Sequence, residues 1–590
     1  MDARETQNAA AREVFARVIA QMDDAFARGD AAAFADLFVE GGYWRDILSF
    51  TWARRTYGGK GEIAAAFAAH APGAGALRFR IAADRTPPRR VKRAGRDVIE
   101  GWFTFETALG RGAGFARMLA GAEEGAPRLW LALTTLHELR DHEEKAGAAR
   151  PMGDEFSQIQ GPENWADMRR REQAYADRDP QVVIIGAGQG GVMLAARLRQ
   201  MGVDALVIEK NARVGDNWRA RYNNLTLHNG VDANHFPYLP FPETWPVWLP
   251  KDKVADWLES YANFLELNVW TNSEVESAAY DAAAKRWRLF VRHGDERREM
   301  RVPHLVAAMG LSGGAPHTPD LPGLKDFAGA VMHSGAFQSG AAWKGKRAIV
   351  VGTGNSGHDI AQDLYFSGAD AVSLMQRGPT CVISLTPGAA ISYSVFSEGA
   401  PVDDADLMIA AVPYPMLIDS YQWITKRTNR QDADLLAGLN AAGFKTWTGV
   451  DNTGFQLLYL RGLGGYYIDV GCSQLIIERK VGVVQAEDMD RFEPQGLRLK
   501  DGGFVACDLV VLATGFESMQ HEIGRIVGPE IAERIGPVWG FDEHYNMRNM
   551  WGPTAQENFW IMGGSLTEAR FHSRHLALQV CASLAGVAPR

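Results

Sequence analysis

The chain contains few cysteines, and their spacing excludes several kinds of chemistry. Only four of its 590 residues are cysteine: Cys381, Cys472, Cys507 and Cys581. No two of them have the spacing of a CxxC pair, so neither a paired-cysteine zinc site nor a redox dithiol is predicted from neighbouring residues. Because so few cysteines in so long a chain are typical of a reducing compartment, we expect buried, unreactive thiols and a cytoplasmic location.

Long apolar runs and an excess of basic residues are also absent. No stretch of about 18 apolar residues could cross a membrane, and the charged N-terminus is not followed by the apolar region of a signal peptide. The net charge of −9 disfavours a nucleic-acid partner or a polybasic membrane anchor. The sequence has no GxSxG elbow and no HExxH helix, and no metal site is predicted.

Two glycine-rich segments dominate what the sequence does contain. They are residues 186–191 (GAGQGG) and 352–357 (GTGNSG), and each lies between a short apolar run and an apolar-periodic helix. Glycines at the GxGxxG positions permit a tight turn and close approach of the backbone to a pyrophosphate, whose charge the helix N-terminus stabilises. These glycines are Gly186, Gly188 and Gly191 in the first segment and Gly352, Gly354 and Gly357 in the second. Two such fingerprints predict two dinucleotide cofactors with electron transfer between them.

The residue after the next strand distinguishes the two fingerprints. Glu209 follows the apolar run 205–208, where a carboxylate suits the ribose of an adenosine without a 2′-phosphate, as in FAD. Arg377 is at a similar offset after the second fingerprint, where a guanidinium would pair with the 2′-phosphate of NADPH. An ordinary charged strand end is the alternative for both. Within the second fingerprint, Asn355 and Ser356 are predicted to contact the pyrophosphate.

The length requires several domains. From about residue 180 onward, strands alternate with helices, which predicts an α/β fold with two Rossmann-like domains. The positions of the fingerprints suggest that an NADPH-binding domain is inserted into an FAD-binding domain. We predict a first FAD segment at 180–345, the NADPH domain at 346–479 and a second FAD segment at 480–590.

Residues 1–140 precede both fingerprints and are predicted to form a separate α+β domain. An amphipathic helical region at 10–38, interrupted near Gly29, is followed by several β-like runs. Residues 141–179 are polar and charged, and we interpret them as a linker with one docked helix anchored by Trp165.

Three further segments resemble motifs of the class B flavin monooxygenases. Residues 327–337 (FAGAVMHSGAF), which include His333, resemble the FxGxxxHxxxY/W signature. Residues 508–516 (DLVVLATGF) resemble the DxxxLATGY/F segment that contacts flavin. Residues 215–219 (GDNWR) are similar to the GxxWR turn beside FAD. The resemblance extends over about two-thirds of the chain, and it assigns Trp218, Arg219, Thr514 and Gly515 to cofactor binding.

The resemblance implies an FAD- and NADPH-dependent monooxygenase. Hydride from NADPH would reduce FAD, and dioxygen would form a flavin C4a-(hydro)peroxide that transfers one oxygen atom to a small organic substrate. Nitrogen or sulfur oxygenation is favoured. The signature ends in Phe337, where flavin-containing monooxygenases have Tyr and Baeyer–Villiger enzymes have Trp. Baeyer–Villiger chemistry or decarboxylative oxygenation of a 2-oxo acid therefore stays open.

Asn229 is the leading catalytic candidate. Residues 225–229 (LTLHN) resemble the family segment whose asparagine reaches the oxygenated flavin, and an amide can donate there without losing a proton. The alternative is a turn, because Asn-Gly at 229–230 is a strong turn dipeptide. His228 either shares the role of Asn229 or packs. His333 belongs to the signature and is expected to order the junction between the domains.

Several assignments remain open in the sequence. Residues 35–46 loosely resemble the helix-to-strand entry of SnoaL-like, cone-shaped α+β domains, in which Trp44 and Asp46 would line a pocket; a structural or lid role is the alternative. His572 and His575 are expected to be exposed or helix-capping. A flavin reductase that acts on a disulfide and a non-catalytic flavin sensor are competing functions, and a homodimer is compatible with the sequence.

Overall fold

The computed structural model describes residues 3–75, 77–120, 128–154, 163–310, 314–462 and 464–589. The N-terminal unit contains helices α1 (Ala3–Arg28), α2 (Ala31–Asp36) and α3 (Gly59–Ala74) and strands β1 (Phe38–Ile47), β2 (Arg54–Gly58), β3 (Leu77–Ile81), β4 (Arg89–Arg93), β5 (Arg96–Glu106), β6 (Gly110–Leu119) and β7 (Leu129–Leu139). The predicted α+β composition is confirmed, including the helix break near Gly29. Helix α3 and strands β2 and β4 were not predicted, whereas β1 begins within residues 35–46, which resembled a helix-to-strand entry.

The N-terminal sheet wraps around an aromatic core. Its strand order is β2-β1-β7-β6-β5-β3, with β4 paired to β5. Between the sheet and the helices lie stacked and edge-on phenyl rings, including those of Phe26, Phe34, Phe67 and Phe79. Phenyl rings bury large apolar areas, so their packing gives the N-terminal unit a hydrophobic core of its own. The likeness to SnoaL-like domains stays a prediction.

The central part of the chain begins with helix α4 and the first nucleotide-binding unit. Its elements are α4 (Trp165–Ala174), β8 (Val182–Ile185), α5 (Gln189–Gln200), β9 (Ala205–Ile208), α6 (Asp216–Arg219), α7 (Lys251–Phe264), β10 (Asn268–Trp270), β11 (Ser273–Asp281), β12 (Arg286–His293), β13 (Glu296–Val302) and β14 (His304–Ala307). Strands β8, β9, β10 and β14 are parallel, whereas β11–β13 form an antiparallel sheet of three strands.

The second nucleotide-binding unit follows directly. It contains β15 (Ala330–His333), β16 (Arg347–Val351), α8 (Asn355–Phe366), β17 (Ala371–Gln376), β18 (Cys381–Ser384), α9 (Val402–Ala410), α10 (Tyr414–Gln431), α11 (Ala433–Ala441), α12 (Gly454–Gly462), β19 (Tyr466–Asp469), α13 (Cys472–Ile477), β20 (Gly482–Gln485), β21 (Met489–Glu493), β22 (Gly496–Leu499), β23 (Phe504–Ala506) and β24 (Leu509–Leu512). The chain ends with α14 (Met519–Val527), α15 (Pro529–Ile535), β25 (Phe559–Ile561) and α16 (Leu566–Ala585).

Strand pairing shows how the two parallel sheets share the chain. The first sheet has the order β10-β9-β8-β14-β25, and the second has the order β15-β24-β16-β17-β20. The predicted bounds at 345 and 480 therefore need correction. Strand β15 already belongs to the second sheet, and the chain returns to the first sheet only at β25. Strands β20 and β24 carry the same apolar pattern as strands of either sheet, so local pattern could not assign them.

The linker is docked by a different residue from the one predicted. Trp165 is 46% exposed and does not anchor α4, which corrects the prediction. Instead, the Arg169 guanidinium donates to the Asn268 side chain at 3.0 Å, and the Tyr175 hydroxyl donates to Asp204 at 2.6 Å. These contacts attach the linker to the first parallel sheet through buried polar groups.

The N-terminal unit is fixed to the rest of the molecule. The buried Asp404 carboxylate of α9 accepts from the Arg85 guanidinium at 2.7 Å and from the Thr86 backbone and hydroxyl at 2.8 and 2.6 Å. One hydrophobic cluster runs from Trp102 of β5 to Leu576 of α16. In the part of the chain that the structure describes, no helix has the length and apolarity needed to cross a membrane.

Candidate active site

The first fingerprint leaves space for a ligand at one glycine and for none at the other two. Gly186 has φ +106°, and a Cβ there would lie 2.6 Å from the Ala308 carbonyl oxygen. A Cβ on Gly191 would lie 1.9 Å from the Gly186 carbonyl oxygen. At Gly188, which precedes α5, the nearest atom would be 3.6 Å away. The outer glycines are thus required by packing, and the middle one leaves the helix N-terminus open to a pyrophosphate.

The second fingerprint repeats this geometry. Gly352 has φ +112°, and a Cβ there would lie 2.4 Å from the Ala513 carbonyl oxygen. A Cβ on Gly357 would lie 2.2 Å from the Gly352 carbonyl oxygen, whereas at Gly354 the nearest atom would be 3.8 Å away. The same pattern at α5 and α8 fits two dinucleotides, each with its diphosphate at a helix N-terminus.

One cavity connects the two fingerprints. Its volume is about 1280 Å³, and its wall includes Gly188 and Glu209 from the first nucleotide unit and Asn355 and Ser356 from the second. A drug-sized ligand site commonly has a volume of about 300–1,000 Å³. The cavity therefore has room for more than one bound molecule, as electron transfer between two cofactors requires.

The two charged strand ends lie in different surroundings. Glu209 is buried on the cavity wall, where its carboxylate accepts from the backbone N–H groups of Ala187 and Asn211 at 2.8 and 2.9 Å. Its carboxylate thereby stabilises the turn of the first fingerprint, and the residue also lines the cavity in which a nucleotide would bind. Arg377 is exposed at the end of β17 and is not among the residues that line the cavity. Its pairing with a 2′-phosphate stays a prediction.

The GDNWR turn places only one of its two predicted residues on the cavity. Trp218 lines it, and the indole N–H is buried without a hydrogen-bond partner in the described residues. Arg219 instead pairs with Asp216, Asp256 and Glu259 at 2.9–3.0 Å and does not line the cavity. The prediction that Arg219 binds cofactor is therefore not supported, because carboxylates already surround its guanidinium.

Arg221, two residues further on, was missed by the sequence reasoning. It lines the cavity, and its guanidinium donates to the Ser356 hydroxyl at 3.4 Å. The Asn355 amide oxygen accepts from the backbone N–H of Ile468 at 2.9 Å, which ties the second fingerprint to β19. Ser356 and Arg221 thus face the open N-terminus of α8 together, where a phosphate would lie. The second arginine of residues 217–221 (NWRAR) was the available signal.

His333 connects β15 to the LATGF segment. Its Nδ1 accepts from the Gly335 backbone N–H at 3.1 Å, which assigns the proton to Nε2, and Nε2 donates to the Gly515 carbonyl at 2.8 Å. Thr514 donates to the His317 carbonyl at 2.5 Å. Because both imidazole nitrogens are engaged and burial lowers its pKa, His333 is suited to positioning and not to proton transfer.

Phe337, the last residue of the signature, is buried in a hydrophobic cluster with Ile360 and Leu364 of α8. It is not among the cavity-lining residues. Likewise, Thr514 and Gly515 lie beside the cavity, and only the next residue, Phe516, lines it. The side chain at position 337 therefore contributes packing, and it gives no indication of which oxygenation chemistry the site supports.

Asn229 and His228 both line the cavity. Asn229 is not in a type I′ turn, because Gly230 has φ −61° and ψ 153°. Its carbonyl accepts from the Asn234 amide at 3.0 Å, and its own side-chain amide has no hydrogen bond to the described residues. Burial lowers the pKa of His228 to about 4, so its imidazole is neutral near pH 7. The site thus offers an uncommitted amide and a neutral imidazole side by side.

Aromatic side chains form the rest of the cavity wall. Residues 393–466 contribute six of them: Tyr393, Tyr414, Tyr421, Phe455, Tyr459 and Tyr466. The Tyr459 hydroxyl donates to Glu568 at 2.7 Å, and burial raises the pKa of both groups. These six side chains form an aromatic chamber within the cavity. It can enclose a small aromatic molecule and exclude water from it.

Two histidines of α16 differ from their predicted exposure. His572 and His575 are enclosed, and burial holds both pKa values below the ordinary range. His572 lines the cavity and stacks on Trp551 at 3.8 Å between ring centroids. The His575 Nε2 lies 2.7 Å from the Thr135 hydroxyl of β7. The prediction of exposed or capping histidines was wrong because the N-terminal sheet covers this face of α16.

Strand β1 also faces the cavity, but through a residue that the sequence analysis did not select. Trp44 packs in the aromatic core, and its indole N–H donates to Thr134 at 3.0 Å. Asp46 is buried and accepts from Thr134 and Thr51 at 2.8 Å. Neither lines the large cavity, so the prediction that they line a pocket is not supported there. Arg45, which lies between them in sequence, does line it.

The four cysteines are free and buried. Burial raises the pKa of each thiol, to about 12 for Cys381 and Cys507. Thiolates are the reactive species in disulfide exchange, and raised pKa values oppose their formation. The expectation of buried thiols is confirmed, and the reductase alternative finds no redox dithiol here.

Comparisons with known proteins agree with this arrangement. Residues 183–394 match the family model described as pyridine nucleotide-disulphide oxidoreductase. The chain is 31% identical over 347 residues to indole-3-pyruvate monooxygenase YUCCA1 of Oryza sativa subsp. japonica, with 58% of this chain and 77% of that protein aligned. It is 30% identical over 344 residues to the probable indole-3-pyruvate monooxygenase YUCCA3 of Arabidopsis thaliana, with 57% and 73% aligned.

A solved structure shares the fold at lower sequence identity. Cyclohexanone monooxygenase from Rhodococcus sp. Phi1, bound to NADP⁺, superposes with a TM-score of 0.51 at 17% identity, covering 69% of this chain and 84% of that one. Two parallel nucleotide-binding sheets around one cavity define a two-dinucleotide oxidoreductase. With the sequence relationship above, the chain belongs to the class B flavin monooxygenases, and the family resemblance predicted from its motifs is confirmed.

Proposed function

We propose that this protein uses FAD and NADPH to insert one oxygen atom of dioxygen into a small aromatic organic molecule. The observation that carries the proposal is one shared cavity, whose wall includes Gly188 of the first fingerprint, Asn355 and Ser356 of the second, and an aromatic chamber. A shared cavity allows the nicotinamide, the flavin and the substrate to meet in one site without release of reduced flavin. Separate pockets would suit a protein that passes electrons to an external partner.

The residues present fit both cofactors. FAD would be held by the turn at Gly188, by Glu209 and by Trp218, whose indole N–H lacks a partner among the described residues. NADPH would be held at Gly354 with the help of Ser356 and Arg221. Bound flavin supplies the chemistry that takes hydride from the nicotinamide and activates dioxygen.

The roles proposed for the protein side chains follow from their contacts. The side-chain amide of Asn229 would donate a hydrogen bond in the cavity, and the neutral imidazole of His228 would add a polar contact without introducing a positive charge. His333 holds β15 against the LATGF segment through its two hydrogen bonds. Aromatic side chains exclude water, which limits the loss of oxygen as hydrogen peroxide.

Two reactions remain candidates for the chamber. Nitrogen or sulfur oxygenation requires a soft nucleophile in the substrate. Decarboxylative oxygenation of a 2-oxo acid or Baeyer–Villiger oxygenation requires a carbonyl group. The names of the curated relatives YUCCA1 and YUCCA3 favour an aromatic 2-oxo acid. The aromatic wall of the chamber accommodates either class.

Product analysis tests the proposal. Protein reconstituted with FAD is incubated with NADPH, dioxygen and either indole-3-pyruvate or an aryl methyl sulfide, and the products are identified by mass spectrometry. We expect NADPH oxidation coupled to an oxygenated product from one of the two classes. Bound flavin that consumes NADPH and yields only hydrogen peroxide with every substrate would contradict it.

A further inference from the structure

Two arginines of the N-terminal unit face the cavity from neighbouring strands. In the antiparallel pair of β1 and β2, Arg45 lies opposite Thr56 and Arg54 lies opposite Ile47. This register puts Arg45 and Arg54 diagonally on one face of the sheet, about 7–8 Å apart at the backbone. Alternation along β1 directs Trp44 to the opposite face. Both guanidinium groups line the large cavity.

Neither guanidinium has a carboxylate partner in the described part of the chain. Within the residues that the structure describes, the Arg45 side chain makes no hydrogen bond or ion pair, and its Nε is buried. Arg54 donates one hydrogen bond, to the Met550 carbonyl, and its other terminal nitrogen is buried without a partner. Burial lowers the pKa of each to about 10, so both remain charged near pH 7.

The most deeply buried arginines among the described residues are paired with carboxylates. Arg570 lies 2.6 Å from the Asp406 carboxylate, and Arg197 lies 3.0 Å from that of Glu144. A buried charge is destabilising unless an opposite charge or several hydrogen bonds compensate it. Arg45 and Arg54 are partly buried, and no ion pair joins either of them to a carboxylate of the described residues. Two such adjacent cations indicate a place for an anion that arrives from outside.

The residues around Arg54 place the two arginines close to the first fingerprint. The Arg54 guanidinium lies 5.7 Å from the centre of the Trp551 ring, and the Trp551 indole N–H donates to the Gly563 carbonyl at 2.8 Å. The next carbonyl, that of Gly564, accepts from Gln189 of the first fingerprint at 3.1 Å. One indole ring and a diglycine segment thus separate the arginines from the turn that would hold the flavin nucleotide.

The other polar groups near the arginines leave the anion site free. The Asn546 side-chain N–H donates to the Arg54 backbone carbonyl at 3.0 Å, and the Asn546 side-chain oxygen is buried without a partner among the described residues. Asp542 is an acid that influences the pKa of Arg54, and its carboxylate accepts from the His544 and Asn546 backbone N–H groups at 2.9 and 2.8 Å. Glu568 also lines the cavity, but it is engaged by Ser565 and Tyr459.

We propose that Arg45 and Arg54 form an anion-binding subsite through which the N-terminal unit binds the carboxylate of the substrate. The bound anion would then be an aromatic carboxylic acid. Its identification as the substrate rests on the proposed function. Guanidinium groups recognise carboxylates by charge-assisted and bidentate hydrogen bonds. The N-terminal unit is then part of the active site. The phosphates of the cofactors are the alternative anion, and they already have the helix N-termini and Arg221.

Equilibrium binding to the oxidised, FAD-loaded protein tests the subsite without turnover. Indole-3-acetate and phenylacetate are compared with their neutral amides by titration calorimetry. Wild-type protein should bind each acid more tightly than its amide. Arg45→Met and Arg54→Met should each reduce that preference about tenfold, as expected for loss of one charge-assisted hydrogen bond. Arg54→Lys should retain part of it.

The matched control is Arg55→Met, which removes an arginine of β2 that does not line the cavity. It should leave the preference for acid over amide unchanged. Equal wild-type affinity for acid and amide, or binding of neither, would overturn the proposal. So would variants that lose FAD or NADPH affinity while the acid-to-amide ratio stays constant, because the arginines would then serve the cofactors.

A second measurement needs no ligand. Because Arg45 is an uncompensated charge beside another cation, Arg45→Met should raise the melting temperature of the substrate-free holoprotein. A structural role for Arg45 predicts a lower melting temperature and would overturn the proposal. If the acid preference is found but no substrate is oxygenated, the subsite stands and the proposed monooxygenase function fails.

Discussion

Single residues in or beside the cavity wall differ in whether their polar groups already have hydrogen-bond or ion-pair partners. Arg219 is surrounded by three carboxylates, and His333 uses both ring nitrogens, so these side chains maintain structure. Asn229 keeps its amide uncommitted toward the cavity. This distinction identifies Asn229 as the side chain whose removal should alter chemistry more than folding.

Asn229→Ala should raise the ratio of hydrogen peroxide to oxygenated product by about tenfold or more. The reason is that the variant loses a positioned hydrogen-bond donor that stabilises developing charge. The measurement is the ratio of hydrogen peroxide to oxygenated product at saturating substrate. Asn223→Ala, on an exposed residue of the same segment, is the matched control and should behave like wild type. An unchanged ratio in Asn229→Ala would remove the role given to this amide.

Arg377 tests the cofactor preference. Its exposed guanidinium follows β17 at the position expected for the 2′-phosphate. Arg377→Ala should raise the dissociation constant for NADPH roughly tenfold, since one charge-assisted contact is lost, and leave that for NADH almost unchanged. Binding is measured by fluorescence titration. A parallel loss for both nucleotides would mean that Arg377 does not read the 2′-phosphate.

At the scale of elements, helix α8 carries a titratable group directly behind the second fingerprint. His358 is fully buried, stacks on Tyr467 at 3.7 Å and lies 3.1 Å from the Gly354 carbonyl. Burial lowers its pKa to about 4, against about 6.5 in an unfolded chain. The unfolded state therefore binds more protons between these values. The stability from the neutral imidazole is complete above pH 6.5 and is lost as the pH falls toward 4.

The free energy of unfolding should accordingly fall with pH in this window, by up to about 1.4 kcal/mol per pH unit for each such histidine. Urea unfolding of wild type and His358→Phe at pH 7, 6, 5 and 4 measures it. The variant should have the shallower dependence, and exposed His521→Phe serves as the comparison. Identical pH dependence in wild type and His358→Phe would contradict the assignment.

Local sequence pattern predicted the elements around the fingerprints well. Strands β8 and β16 and helices α5 and α8 lie where the apolar runs and glycines indicated, because turn chemistry and helix onset are local properties. Strands β20 and β24 were assigned to the wrong sheet because pairing partners are distant in sequence. Arg45 was missed for a related reason: nothing within residues 35–46 shows that a distant part of the chain faces β1.

At the scale of the whole molecule, the N-terminal unit contributes Arg45 and Arg54 to the cavity wall and is attached by buried polar contacts. Asp404 of α9 is central to this attachment, since it accepts three hydrogen bonds from Arg85 and Thr86. The continuous hydrophobic cluster supports the same junction. Loosening this junction should therefore affect both stability and the retention of activated oxygen.

Asp404→Asn should destabilise the protein by about 3 kcal/mol, because it leaves the Arg85 charge without its partner at a largely buried position. It should also increase hydrogen peroxide formation, since water enters the cavity. Thermal unfolding and peroxide assays report the two effects. Asp403→Asn, on the exposed neighbouring residue, is the matched control. If Asp404→Asn lowers the melting temperature but does not increase hydrogen peroxide formation, the junction stabilises the protein without keeping water out of the cavity.

The central claim is that one enclosed cavity couples nicotinamide oxidation to oxygen insertion. Turnover of the FAD-loaded protein under ¹⁸O₂ with NADPH and an aromatic substrate tests it most directly. The account predicts one ¹⁸O atom in each product molecule and close to one product per NADPH consumed. NADPH oxidation that leaves every substrate unlabelled, with all the oxygen recovered as hydrogen peroxide, would contradict it.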